Sequence, residues 1–212
     1  MTGSGIVLSV EEMRMSEAAA FSAGTSSREL MRRAGEGIFR SVEWKSPAAV
    51  VCGKGNNAGD GYVVASLLAD SGISCDIILL ERTFSEDGRY YFGICEEKGI
   101  PVRMFSDAPD LSGYSCILDC IFGTGFRDEA RGTERAAIEA VNSSGAYVVS
   151  ADINSGLNGD TGEGDVFVRS DVTVSVGYLK KGHLTGKGPS ACGKLVNADI
   201  GIDPVRLEKT DE

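Results

Sequence analysis

The chain has 212 residues, 42% apolar and 25% charged, with a formal charge of −10. That composition is ordinary for a globular protein, and the length allows a sizeable core. Two adjacent basic residues are the longest basic block, which excludes nucleic-acid binding through clustered Lys and Arg, and no apolar run reaches the roughly 18 residues of a membrane helix.

The elements follow in chain order. Ser9-Val-Glu-Glu12 and Ser26-Ser-Arg-Glu29 fit capping boxes and predict two N-terminal helices within about 9–44. In the second, Leu30, Ala34, Ile38 and Val42 recur at a spacing of four and form one apolar face. Residues 48–52 (AAVVC) read as a strand, followed by a Gly-rich loop and a helix over 59–71. Strands are predicted at 75–81, 101–105, 115–119, 146–151, 171–176 and 194–199, with helices over 85–98 and from Thr133 to Gly145. The acidic end from Glu208 is predicted to fray. Apolar strands separated by helices predict an α/β chain: a three-layer α/β/α Rossmann-like fold with a mostly parallel sheet and N-terminal helices. Residues 1–212 are expected to form a single domain with a helical N-terminal arm.

Glu11 and Glu12 stand where an export signal would carry its apolar stretch, so a cytoplasmic protein is expected. The six Cys lie mostly in apolar runs and read as reduced, buried thiols. His183 is the sole histidine, which excludes His-clustered metal chemistry.

Ligands in an open parallel sheet sit beyond the carboxyl ends of strands. Three polar, Gly-rich segments begin at such ends: Gly53 to Gly61, Asp119 to Gly125, and Asp152 to Gly156. In the first, Gly53, Gly55 and Ala58 satisfy the dinucleotide fingerprint, with Glu81 at the end of the next strand. A NAD-dependent oxidoreductase is therefore one alternative. Placing Asp60 in the first helical turn weighs against it, because a carboxylate there would oppose a pyrophosphate. Asp119 reads equally as a loop cap or a site residue, and Gly123-Thr-Gly125 offers N–H groups to an anion beside Arg127. Asp152 with Ser155 suggests a hydrolase, but G-x-S-x-G is absent, which disfavours triad chemistry. Lys180 and Lys181 follow the strand at 171–176 as a basic corner.

The segments VLSVEEMR, ELMRRAG, GKGNNAGDGYVVA, LDCIFGTGFR, ADINSGLNGDTG and LKKGHLTGK, in this order, resemble the YjeF N-terminal domain family, the NAD(P)H-hydrate epimerases. The resemblance runs from about Val7 to Ile202. It implies an isomerase that interconverts the R and S forms of hydrated NADH or NADPH in cofactor repair, with a separate dehydratase as partner and a homodimer as the expected assembly. A chain of this length implies a stand-alone epimerase. A non-catalytic nucleotide-binding scaffold remains a further alternative, because some members of the family serve as binding modules.

The resemblance also carries site residues. Substrate binding falls on Asn56, Asn57, Ala58, Gly59 and Asp60, on Gly123, Thr124, Gly125, Phe126, Arg127, Asp128 and Glu129, and on Asp152. A potassium ion falls on Asn57, Asp119 and Ser155. These are hard oxygen ligands, and one formal negative charge suits a monovalent cation. Ala58 and Asn154 replace a Gly and a Pro of the family pattern, Asn158 stands where an Asp is common, and Ser16 where the first helix often has an Asp. Chemistry at a carbon bearing both hydroxyl and ring nitrogen needs an acid/base beside the ring. Asp152 is expected in that role with Lys180 as its partner.

Overall fold

The computed structural model describes residues 5–107, 109–127 and 129–207. The strand β1 (Val7–Leu8) leads into helices α1 (Val10–Ser22) and α2 (Ser27–Arg40). Then come β2 (Ala48–Cys52), α3 (Asn56–Asp70), β3 (Cys75–Leu79), α4 (Glu86–Glu97), β4 (Val102–Met104) and β5 (Cys116–Cys120). The chain continues through α5 (Gly132–Ser143), β6 (Tyr147–Ala151), β7 (Val172–Val176) and β8 (Leu179–Lys180). Two four-residue helices, α6 (Lys181–Leu184) and α7 (Gly188–Ala191), precede β9 (Lys194–Ala198).

Seven strands form one sheet in the order β4-β3-β2-β5-β6-β7-β9. All its pairings are parallel, so the mostly parallel sheet expected from the sequence is wholly parallel here. The period of two along β2 divides the core. Ala48, Val50 and Cys52 join the face covered by α2, α3 and α4, while Ala49 and Val51 join the face covered by α5. Burial on both faces explains why these strands read as unbroken apolar runs. The chain enters the sheet at β2, builds outward to β4, and returns to β5 on the other flank. The order therefore reverses between β2 and β5, where an open α/β sheet leaves a crevice at the strands' carboxyl ends.

The N-terminal segment is bound to this crevice. β1 pairs in parallel with β8, matching Leu8 to Lys180. Ser9 and Glu12 complete a capping box at α1 through Glu12 N–H to Ser9 Oγ (3.2 Å) and Ser9 N–H to Glu12 Oε2 (2.7 Å). At α2 only half the expected box forms. Ser26 Oγ accepts from Glu29 N–H, but the Glu29 carboxylate turns to Arg32 and Arg33, whose guanidiniums outcompete a neutral backbone donor.

A second correction concerns α3, which begins at Asn56 rather than at residue 59, with Gly55 as its N-cap. Asp60 thus sits beyond the first turn, which holds no acidic residue, and does not oppose the positive end of the helix dipole. All six Cys are buried free thiols. Among the described residues, no helix is long and apolar enough to cross a membrane.

Candidate active site

A cleft of about 700 Å³ lies over the switch point. Met13, Arg14 and Glu17 of α1 wall one side. Lys54 to Asn57 and Asp60 form the floor after β2, and Ile121 to Arg127 follow β5. Asp152, Val176 and Lys180 complete it from the ends of β6, β7 and β8. A wider, more open groove of about 990 Å³ continues outward past Arg127, Glu129 and Arg131 to Asn158 and Lys187. Of the two, the first is bordered by Glu17, Asp60, Asp152 and Lys180.

Lys180 is 1% exposed, and its ammonium is paired with Asp152 Oδ1. The same Nζ donates to Val176 O (2.6 Å) and Ser175 Oγ (3.3 Å), so every proton of the ammonium has an acceptor. Asp152 Oδ1 also accepts from Val176 N–H at 3.3 Å. Among the described residues no protein donor reaches Asp152 Oδ2, which lies 3.9 Å from the place a Cβ on Gly123 would occupy. One carboxylate oxygen is thus anchored and the other faces the loop after β5. Asp152 holds φ +65°, rare for a residue with a side chain, and this turns its carboxylate back over the strand ends.

Two further carboxyls share the space. Burial, then the negative charges of Asp152 and Glu17, push Asp60 well above the usual carboxylate range against the opposing pull of Lys180. Burial, then Asp152, raise Glu17 likewise, with Lys180 and Arg14 opposing. Three acids around one ammonium leave one ion pair, Asp152 with Lys180, and two carboxyls whose hold on their protons is strengthened. Such a division places a base and proton donors in one cavity.

The three residues expected to hold a cation share partners. Asn57 Nδ2 donates to Phe122 O at 2.7 Å and to Ala151 O at 3.3 Å. Ser155 Oγ lies 3.3 Å from the same Phe122 oxygen and donates to Asp119 Oδ1 at 2.5 Å. Asp119 is fully buried, and Ser150 Oγ, Ser155 N–H and Ile121 N–H also bond its carboxylate. Burial raises its pKa while these hydrogen bonds pull it down. No Lys or Arg forms an ion pair with it among the described residues. Asn57 Oδ1 is buried without a partner. An unpartnered amide oxygen beside an unpaired buried carboxylate and a serine hydroxyl is a donor set that fits a small monovalent cation.

The other sequence-derived residues divide by helix geometry. Asn56, Asn57 and Asp60 share the cleft face of α3, but Ala58 and Gly59 do not line it. Ala58 is buried in the core, and Gly59 faces α2, where a Cβ on it would meet Met31 Sδ at 2.4 Å. Gly123, Thr124, Gly125, Phe126, Arg127 and Glu129 all border the cleft, with the Phe122 and Phe126 rings stacked at 4.4 Å. Asp128 lies outside the described residues. Ser16, expected at an acid position of α1, faces away: its hydroxyl donates to Glu12 O and accepts from Val205 N–H. The acid that α1 gives the cleft is Glu17, which sequence inspection missed, although its spacing of four from apolar Met13 marks that face. Asn154 is fully buried and fully bonded to Val168 O, Ser170 Oγ, Ala191 O and Thr173 Oγ1, so it braces the loop behind the site.

The sequence profile described as YjeF-related protein N-terminus matches residues 27–182. An NAD(P)H-hydrate epimerase of Limosilactobacillus fermentum is 36% identical over 183 residues, covering 83% of this chain and 87% of that one. A bifunctional NAD(P)H-hydrate repair enzyme Nnr of Coxiella burnetii is 34% identical over 198 residues, covering 90% of this chain and 40% of that protein. The chain thus spans about 40% of the length of such bifunctional relatives. The crystal structure of the yeast protein ynu0 superposes with a TM-score of 0.77 at 20% identity, over 97% of this chain and 98% of that one, and shares its fold. The chain belongs to the family described as YjeF-related protein N-terminus.

Proposed function

We propose that this chain is an NAD(P)H-hydrate epimerase, interconverting the R and S forms of hydrated NADH or NADPH so that a separate dehydratase acting on one form repairs all of it. The observation that carries this is the Asp152–Lys180 pair, anchored at one carboxylate oxygen and open at the other, at the end of a nucleotide-sized cleft.

The reacting carbon bears a hydroxyl and the ring nitrogen. Proton donation from a carboxyl of raised pKa, Asp60 or Glu17, lets the nitrogen lone pair expel that hydroxyl as water and leaves a planar iminium. The Asp152 carboxylate lies where it offsets the developing positive charge and takes the proton of the water that adds to the opposite face. The proton returned to the donor carboxyl closes the cycle. Lys180 holds the Asp152 carboxylate in place through their ion pair. Asn57, Asp119 and Ser155 would hold a potassium ion, which would supply positive charge that ties the three strand-end loops together. Backbone N–H groups of Gly123 to Gly125 and the Arg127 guanidinium are suited to the phosphates.

The test is Asp152→Asn, supplied with one pure epimer of hydrated NADH and followed by NMR. We expect epimer exchange to fall by about 10²–10⁴-fold while binding is retained. Unchanged turnover would discard the assignment. Bleaching of NADH absorbance with a carbonyl substrate would favour the oxidoreductase, and nucleotide binding without epimer exchange in the wild type would favour a scaffold.

A further inference from the structure

His183 is the chain's sole histidine and is 1% exposed. Its Nδ1 accepts the main-chain N–H of Lys180 at 3.0 Å. Its Nε2 lies 2.8 Å from the main-chain oxygen of Asp152. A ring nitrogen that accepts a backbone N–H carries no proton, so Nε2 carries it and donates to the Asp152 carbonyl. One rigid ring therefore joins the main chains of both members of the acid/base pair. Burial and the nearby Lys180 charge push the imidazole down to about 4, which keeps the bridge intact at neutral pH.

The need for such a bridge is visible at Asp152. Its φ of +65° lies in the left-handed region that a residue with a Cβ seldom adopts, Asp less seldom than most. Asp152 N–H donates to Val174 O at 2.8 Å, which fixes the residue on its N-terminal side. The His183 bond fixes the carbonyl on the other side. Together the two bonds fix the backbone from which the carboxylate reaches Lys180. At the second end, the ring caps the N–H of the residue whose ammonium anchors Asp152 Oδ1.

We propose that His183 is a positioning residue of the epimerase, whose imidazole fixes the Asp152 carboxylate against Lys180 and toward the substrate ring without itself moving a proton. This rests on Asp152 and Lys180 being the acid/base pair. Two substitutions separate the bonds. His183→Gln places an amide N–H near Nε2 and keeps the Asp152 tether. His183→Asn places an amide oxygen near Nδ1, keeps the Lys180 cap and loses the tether.

We expect His183→Gln to retain kcat within about fivefold, and His183→Asn to lose about 50–100-fold in kcat with KM within twofold, as misplacement of a catalytic group does. In an Asp152→Asn background, His183→Asn should cause no further loss. Wild-type kcat in His183→Asn, or equal losses in both variants with raised KM, would overturn the proposal. An independent check needs no variant: in tag-free protein the single imidazole gives one pair of ¹⁵N resonances, expected for the Nε2–H form, and an Nδ1–H or doubly protonated ring at pH 7 would overturn it. Full activity in Asp152→Asn alone would remove the assignment of the pair. Inactivity there with normal His183→Asn would remove only the role given to His183.

Discussion

The carbonyl oxygen of Ile121 lies 2.1 Å from the position that a Cβ on Gly53 would take. The residues that open the loops after β2 and β5 thus meet backbone to backbone, and Gly53 N–H donates to Cys120 O at 3.1 Å. Only glycine permits this approach, and it brings the start of α3 beside Phe122. We expect Gly53→Ala to lose about 1–3 kcal/mol of stability, the usual cost of overpacking, and to bind nucleotide more weakly. Chemical denaturation and substrate titration check both, and a variant with wild-type stability would contradict the close contact.

Asn57 joins the same loops from the other side. Its Nδ2 serves two carbonyl oxygens and its Oδ1 has none to serve. Asn57→Ala strips both carbonyls of a donor, so we expect a loss of about 1–3 kcal/mol. If Oδ1 contributes to a cation site, the variant should also lose its response to KCl, measured against NaCl at equal ionic strength. Normal activation by potassium would remove Asn57 from the cation site.

Much of this arrangement was legible in the sequence, for a physical reason. A parallel strand buried on both faces must be apolar at consecutive positions, so β2, β5 and β6 stand out as runs, and the polar residues just after them are the crevice. The start of α3 was hidden because Gly and Asn in Gly55-Asn-Asn-Ala-Gly59 read as a loop by propensity, while packing against α2 and α4 makes the segment helical. β1, β8, α6 and α7 are too short to show a period. Glu17 and His183 were invisible as site residues because tertiary contact alone brings them there: β1–β8 pairing sets Glu17 of α1 along the cleft, and His183, behind it, looks like an isolated core histidine until its two partners are known.

Asp60 offers a test of the charge distribution. A carboxyl whose pKa is raised by folding binds its proton more tightly in the native state, so the stability it contributes is lost as pH rises from its ordinary 3.8 through the higher folded value. Asparagine matches the neutral form in shape and cannot ionise. We expect Asp60→Asn to be at least as stable as the wild type at pH 7 to 8, and to lose epimer exchange by at least about tenfold if this carboxyl supplies the proton. Thermal melting across pH and the NMR exchange assay separate the two effects. A variant clearly less stable at pH 8 would contradict a neutral Asp60.

His183 shifts in the opposite direction to Asp60 and makes a separable prediction. Its pKa falls from 6.5 to about 4 on folding, chiefly because burial disfavours the charged ring. Below pH 6.5 the unfolded chain therefore binds a proton that the folded chain refuses, and stability from this group falls as pH drops from 6.5 to about 4. A shift of that size corresponds to roughly 3 kcal/mol. The acids with raised pKa act with the opposite sign in the same window, so the wild-type curve alone does not isolate the histidine. The difference between wild type and His183→Gln does, because the acids are common to both and glutamine has no proton to bind. We expect the wild type to lose stability relative to that variant on acidification, by up to this amount near pH 4 and by almost nothing above pH 7. Denaturant titrations of the two proteins at several pH values would read it directly. A difference that stays flat with pH would mean that the imidazole is not held neutral between Lys180 and Asp152.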